Sequence, residues 1–466
     1  MNHCLPIVRS VPVDRFLPSD LFLKFDSPFL FEGAVNGWFD GQYSLIGLSP
    51  FAVFKSLGHD ASFEFTKADG SIAQYTYQNQ DPLSVLQTWL NRFRTVGATL
   101  PPQGTLPLQS GGAVGFISYE CDIYLHFVNC FLLYDHTRSL IHIIYNPVPL
   151  IEIGWTEKLA YEAGYEAMDA IEKAIASARL NHFPPVLTGE ITSLRDGASY
   201  RAMVSYAKEY IAAGDIFQAN LSHRFQTVFQ GTSIYPLYQK LREINPSPFS
   251  AYLNMGGFEI ASASPERLVR VKNGLIETRP IAGTSPRGQN LEEDQEKIAA
   301  LYGSAKERAE HLMLVDLERN DIGKVAKFGT VQVSALMALE QYSHVFHLVS
   351  TITGELKESV LASDVIRALF PGGTITGVPK IRCMQIIAEL EGQKRGIYTG
   401  SIGMIGFSGE MDFNIVIRSF IRKGSELSFQ VGAGIVADSD PHREYQETLQ
   451  KAAAMMKALG SLTSEG

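Results

Sequence analysis

Short stretches in which apolar and polar residues alternate, cut by Gly, Pro and Asp, fill the first half of the chain. Alternation places successive side chains on opposite faces of a strand, and predicts strands at 43–47, 51–54, 113–119 and 139–145. Leu83, Val85, Leu86, Trp89 and Leu90 recur at helical spacing and predict a helix over 82–93. An alanine- and glutamate-rich run predicts a second helix over 156–179. The stretch 181–197 is polar, proline-bearing and aperiodic, so it reads as the connection between two lobes, 1–180 and 198–459.

The second half opens with a helix over 199–213, stopped by Gly214. Strands are expected at 216–225, 249–253, 259–263 and 268–271, then one long helical tract over 291–321. A glycine-rich turn at 372–377 leads into a helix over 379–390, and hairpin-like strands follow at 400–407, 412–421 and 428–436. The last helix starts after Ser439-Asp440, a good cap, with Pro441 at its first position. Strand runs with few helices between them point to an α+β protein, with large antiparallel sheets packed as a sandwich and helices outside.

Bulk properties narrow the function. The chain has 466 residues, 45% of them hydrophobic and 19% charged, which supplies ample core. A net charge of −9 without basic runs argues against nucleic acid. No apolar run approaches a membrane span, and the N-terminus lacks the apolar core of a secretory signal. Cys4, Cys121, Cys130 and Cys383 are scattered without metal-ligand spacing, which fits a reducing cytoplasm.

Against this background two glutamate pairs stand out, Glu307/Glu310 and Glu444/Glu447. Each is spaced to share one helical face. Converging carboxylates repel unless a cation joins them, and hard oxygen ligands completed by an anionic substrate suit Mg²⁺; from spacing alone, two solvated helix faces are the commoner arrangement. FPGGTITGVPKIR puts glycines just ahead of a helix whose first turn holds Lys380 and Arg382, a possible anion cradle or a plain turn, though not a phosphate P-loop. Gly432 and Gly434 lie in a strand, where glycine admits a close neighbour. Lys451, four residues past Glu447, makes either a salt bridge or a substrate contact. His347 lies in an apolar stretch, as a core histidine or a proton-transfer group. Glu266 follows a proline at a strand end, either an exposed turn residue or a general acid. Arg418, among apolar residues on an expected strand, needs an anionic partner if buried.

Together these segments resemble the chorismate-utilising enzymes: anthranilate and aminodeoxychorismate synthase components I and the isochorismate and salicylate synthases. The resemblance runs through YSLIGLSP, GGAVGFISYE, GDIFQANLSHRF, NPSPFSAYL, SPERL, TRPIAGTSPRG, KERAEHLMLVDLERNDIG, HVFHLVSTITGEL, ALFPGGTITGVPK, GIYTGSIGMIG, FNIVIRS and GAGIVADSDPHREYQE. It implies the chorismate-binding fold, with an N-terminal lobe over 1–180 and the catalytic lobe over 198–459. It further implies that Glu310 and Glu447, with Glu307 and Glu444 beside them, hold Mg²⁺. Tyr398, Arg418, the backbone of Gly432 and Gly434, and Lys451 match positions gripping the substrate's carboxylates, and Thr374 lines its ring. His347 matches the histidine beside the enolpyruvyl group, and Glu266 the acid that protonates the departing C4 hydroxyl.

Gln218 stands where the isochorismate and salicylate synthases resemble one another in a water-activating lysine, so the resemblance implies ammonia as nucleophile, delivered by a glutamine amidotransferase partner. Ala282 in PIAGT looks like anthranilate synthase. Asn220, SPERL and the glycine at Gly33 look more like aminodeoxychorismate synthase, which aminates C4 on the way to 4-aminobenzoate and folate. C4 amination is the expectation, with anthranilate synthesis as the alternative and a non-catalytic anion-binding subunit as a different class.

Overall fold

The computed structural model describes residues 5–13, 17–25, 27–94, 106–108, 110–177, 187–342 and 345–463. Cys4 and residues 181–186 of the expected connection lie outside them. Two large sheets, in which all the named strand pairs are antiparallel, form the body. One runs Ile7–Pro12, Leu140–Tyr145, Cys130–Asp135, Tyr43–Gly47, Phe29–Gly33, Phe249–Asn254, Phe258–Ser264, Ser419–Lys423, Glu426–Ile435 and Gln218–Gln230. The other runs Ile281–Pro286, Val345–Glu355, Leu275–Arg279, Arg267–Lys272, Met411–Asn414, Ser401–Gly406, Gly112–Ile117, Ile123–Val128, Ala52–Leu57, Asp60–Thr66 and Ile72–Tyr77. Strands from both halves of the chain share each sheet, joined where Phe29–Gly33 meets Phe249–Asn254 and where Gly112–Ile117 meets Ser401–Gly406.

Alternation decides what each strand face buries. Phe29, Phe31, Leu45 and Leu133 of the first sheet pack with Val114, Phe116, Ile402 and Met404 of the second. Their sequence neighbours Leu30, Ile46 and Leu132 point the other way, into a cluster with helix-borne Leu21, Phe22, Met168 and Ile171. The helix Pro82–Phe93 forms as its apolar spacing predicts. Asp81 accepts Ser84 N–H at 2.7 Å as its cap, and Leu83, Val85, Leu86, Trp89 and Leu90 are buried. No helix among the described residues is long and apolar enough to cross a membrane.

Two expectations are corrected. The tract over 291–321 is two helices, Leu291–Gly303 and Ala305–Val325. Ser304 breaks it with extended backbone (φ −70°, ψ 106°), and its hydroxyl accepts Glu307 N–H at 3.2 Å as the second helix's cap. The strand over 412–421 is also two, Met411–Asn414 and Ser419–Lys423. Between them Arg418 takes a left-handed backbone (φ 51°), so it is not a strand residue.

Candidate active site

Gln218–Gln230 and Glu426–Ile435 pair with Ala219 opposite Ile435, Asn220 opposite Gly434, Leu221 opposite Ala433 and Ser222 opposite Gly432. Ala219, Leu221, Ala433 and Ile435 face outward into a cluster with Tyr200, Met203, Val204 and Ile386 of the covering helices. Period-two geometry therefore turns Gln218, Asn220, Gly432 and Gly434 to the opposite face. There the glycines are required by space. A Cβ on Gly432 would sit 2.4 Å from Asn220 Oδ1 and 2.9 Å from the Tyr398 hydroxyl, and one on Gly434 would sit 2.7 Å from Gln218 Nε2. Gln218 Nε2 donates to Glu310 Oε1 at 3.0 Å. Lys451 donates to Gly432 O at 2.9 Å and pairs with Glu447 at 2.7 Å, so its salt bridge and its approach to the glycine strand coexist. Burial pushes the Tyr398 phenol well above its usual range, leaving it a neutral donor.

A second group gathers around Glu266, which is buried in the short link between Phe258–Ser264 and Arg267–Lys272. Burial raises its carboxyl to about 7, against the lowering effects of the Thr374 hydroxyl, the Arg418 guanidinium and the Ile281 amide. The Thr374 approach is not a well-directed hydrogen bond: Glu266 Oε1 and Thr374 Oγ1 are both buried atoms without a partner. Arg418 donates to Asn245 Oδ1 at 3.1 Å, a neutral acceptor that leaves its charge uncompensated at short range. His347 exchanges a hydrogen bond with Thr284 Oγ1 at 2.8 Å, and burial, then Arg418, lowers it to about 4, so it is neutral at pH 7.

Orphaned polar atoms mark this region. Gln218 Oε1, Asn220 Oδ1, Glu266 Oε1 and Thr374 Oγ1 are all buried without partners, and such groups destabilise a fold unless something satisfies them. Surface cavities of about 1050 and 800 Å³ lie elsewhere and include none of these residues.

The four glutamates do not form one cluster among the described residues. Among the described residues no three acidic, histidine or cysteine side chains form a group able to hold a metal. Glu310 lies against Gly434, Glu307 Oε2 against Gly283, Glu447 is held by Lys451, and Glu444 is buried in the first turn of Pro441–Thr463. Mg²⁺ takes one or two carboxylates together with waters and substrate rather than a preformed cage. Glu310 and Glu447 flank the same glycine strand and offer such a donor set.

The glycine-rich turn is not the cationic cradle that Lys380 and Arg382 suggested. Lys380 pairs with Asp321 at 2.5 Å and Arg382 with Asp215 at 2.8 Å. The turn instead presents Thr374 and is anchored by a residue the sequence reading missed. Buried Arg395 donates to Ile375 O at 2.9 Å, Asn220 O at 2.5 Å, Thr399 Oγ1 at 3.3 Å and Glu391 Oε1 at 2.7 Å. It thus ties the turn, the first strand and the Tyr398 segment together; its place three residues before Tyr398 was the available signal.

Two substitutions test this geometry. Gly434→Ala is expected to displace the Gln218 amide from Glu310, lowering kcat/KM and costing about 1–3 kcal/mol of stability, as overpacking does; thermal unfolding and steady-state kinetics measure both. Arg418→Gln removes a charge that lowers both neighbours, so the titration of His347, followed by NMR of its ring protons, is expected to move upward from about 4, with KM for the anionic substrate rising.

Comparison with known proteins settles the family. The family model described as chorismate binding enzyme matches residues 50–457. The chain belongs to that family. This chorismate-binding enzyme is 40% identical over 434 residues to aminodeoxychorismate synthase component 1 of Bacillus subtilis (strain 168), covering 90% of this chain and 89% of that one. It is 38% identical over 484 residues to anthranilate synthase component 1 of Acetivibrio thermocellus, covering 98% and 95%. The crystal structure of anthranilate synthase component I from Streptococcus pneumoniae TIGR4 superposes with a TM-score of 0.73 at 31% identity, over 89% of this chain and 92% of that one. The menaquinone-specific isochorismate synthase MenF from Escherichia coli gives 0.73 at 18% identity, over 98% and 95%, a likeness of fold.

Proposed function

We propose that this chorismate-utilising enzyme is the component of an aminodeoxychorismate synthase that aminates chorismate at C4. The observation that carries the reading is Gln218. A carboxamide cannot take a proton from water, and its Oε1 is a buried acceptor without a partner, suited to a nucleophile that brings N–H donors. Ammonia adds its lone pair to C4 as the C4–O bond breaks. Glu266, whose proton stays on up to about pH 7, passes it to the departing oxygen, and water leaves. The ammonium formed at C4 returns a proton to Glu266. Ala282 supplies no amine, so ammonia reaches the ring without an enzyme-bound intermediate. Arg418, Lys451 and the Tyr398 hydroxyl would receive the substrate's carboxylates.

Glu310 and Glu447, with Glu307 and Glu444 beside them, are the side chains that would hold Mg²⁺, which when bound neutralises a ring carboxylate. The relatives are each named component 1 of a synthase, which supports a partner subunit, a glutaminase that supplies ammonia.

Incubation with chorismate, Mg²⁺ and a large excess of ammonium near neutral pH tests the reading by product identity. The expected product yields 4-aminobenzoate only after a lyase is added. Anthranilate with pyruvate would instead support anthranilate synthesis, which the 38% identical relatives and Ala282 favour. Isochorismate would reject both, and binding without turnover would favour the regulatory reading.

A further inference from the structure

The strand that follows Glu266 contains a bulge. Arg267 pairs with Arg279 and Arg270 with Glu277, so Leu268 and Val269 face the single residue Thr278. On the other side Arg267 pairs with Asn414 and Val269 with Phe413, skipping Leu268 again. A two-against-one step bends a strand and withdraws backbone groups from the ladder. Here the bend falls two residues after Glu266 and therefore sets where that side chain points.

Thr278 closes the bulge. Its Oγ1 lies 2.9 Å from Leu268 O and 2.6 Å from Glu318 Oε2. A hydroxyl has one hydrogen. If that hydrogen goes to Leu268 O, the contact with Glu318 is a hydrogen bond only when Glu318 is the donor. An ionised Glu318 would draw the hydrogen to itself and leave Leu268 O without it.

Burial favours the neutral form of Glu318. Its facing groups are Glu266 from the bulged segment, Lys380 from the helix Lys380–Glu391 and Asp321 on its own helix, and the last two pair with each other at 2.5 Å. Burial raises the Glu318 carboxyl to about 8; Thr278 and Lys380 lower it, while Glu266 and Asp321 raise it. Thr278 and Ile281 also lie on one short stretch of chain, the first holding Glu318 and the second offering its amide to Glu266. The two buried carboxyls are thus tied to the same four-residue span.

We propose that Glu318 is a positioning residue which, in its protonated form, aims Glu266 by locking the Leu268 bulge through Thr278. Loss of the Glu318 proton turns Thr278 away from Leu268 and releases the segment that carries the acid. The inference rests on Glu266 being that acid.

The test compares pH profiles of kcat at constant free ammonia for wild type, Glu318→Gln, Thr278→Val and Thr278→Ser, with thermal melts to confirm folding. Wild type loses activity through two protons, so kcat is expected to fall toward about a hundredfold per pH unit above pH 8. Glutamine donates the same bond but cannot ionise, so Glu318→Gln should match wild type at pH 6.5 and fall only about tenfold per unit. Thr278→Val should lower kcat about tenfold with KM unchanged, and Thr278→Ser should restore it. Infrared spectra give a reading independent of rate: a buried carboxylic-acid band at pH 7 should persist in Glu266→Gln, and the component lost in Glu318→Gln should be the one that Glu266→Gln retains. Wild-type steepness in Glu318→Gln, an unchanged kcat in Thr278→Val, or absence of the band from Glu266→Gln each overturns the proposal. An inactive Glu266→Gln with wild-type steepness in Glu318→Gln overturns this proposal alone, whereas wild-type turnover in Glu266→Gln overturns both readings.

Discussion

Replacing Glu310 by alanine is expected to lower turnover about a thousandfold, on the order of 4 kcal/mol of transition-state stabilisation, with the fold retained. Its carboxylate accepts the Gln218 amide and lies against Gly434, so it borders both the nucleophile's side and the glycine strand. Alanine removes a hard oxygen donor and frees the amide that it orients. The loss should not be recovered by raising Mg²⁺, because the missing group is the ligand, and Glu310→Asp should recover part of it at higher Mg²⁺. Glu307→Ala should cost less, since that carboxylate lies beside Gly283 and the Gln218 amide donates to Glu310 instead. Unchanged turnover of Glu310→Ala at saturating Mg²⁺ would remove the metal from the mechanism.

Glu266→Gln is expected to lower kcat by about 10²–10⁴, the usual contribution of a positioned general acid. Glutamine keeps the shape and loses the transferable proton, so the fall belongs to kcat and not to KM. In wild type the acid is charged with its proton below about pH 7, and activity declines above it; the variant's residual rate should lack that limb. Stability moves the opposite way. The folded carboxyl holds its proton to about 7, against 4.5 for an ordinary glutamate. Its stabilisation is therefore complete below pH 4.5 and lost as pH rises through 7. At pH 8 the wild type carries a buried charge that the amide avoids, on the order of 3 kcal/mol for this fully buried group. Glu266→Gln should therefore melt higher than wild type at pH 8 while turning over more slowly. Equal melting temperatures would argue that the carboxyl is solvated.

Elements whose burial follows their own spacing were legible in the sequence. The helix Pro82–Phe93 carries its apolar stripe in five residues that the structure buries, and its Asp81 cap is written beside it. Strands such as Tyr43–Gly47 and Phe249–Asn254 follow local alternation and lie within one residue of the expected bounds. Interruptions were not legible, because they depend on distant partners. Ser304 breaks a helical tract that reads as continuous, and Arg418 leaves its strand where its carbonyl accepts Ala263 N–H from across the sheet.

The same limit applies to the site. Gln218, Gly432, Gly434, Tyr398 and Lys451 were found through their motifs, and the structure brings them around one face of a strand pair. Glu266, Thr374, Arg418 and His347 form a neighbouring group linked by charge. The glutamate pairs share helical faces as their spacing requires, but spacing says nothing of how far apart two helices stand. Arg395 and Glu318 sit in charged stretches that locally resemble solvated surface, and only tertiary packing buries them.

Each half of this polypeptide leaves half of a ladder undone. Phe29–Gly33 waits for Phe249–Asn254, and Gly112–Ile117 for Ser401–Gly406. During synthesis the first of these edges has no mate until more than two hundred further residues have been made. Contacts that remote fold slowly and leave sticky β-edges open to stray pairing. Fragments ending near residue 200 should therefore aggregate, and production of soluble protein should depend on chaperone capacity and on slow translation more than on the stability of the finished molecule.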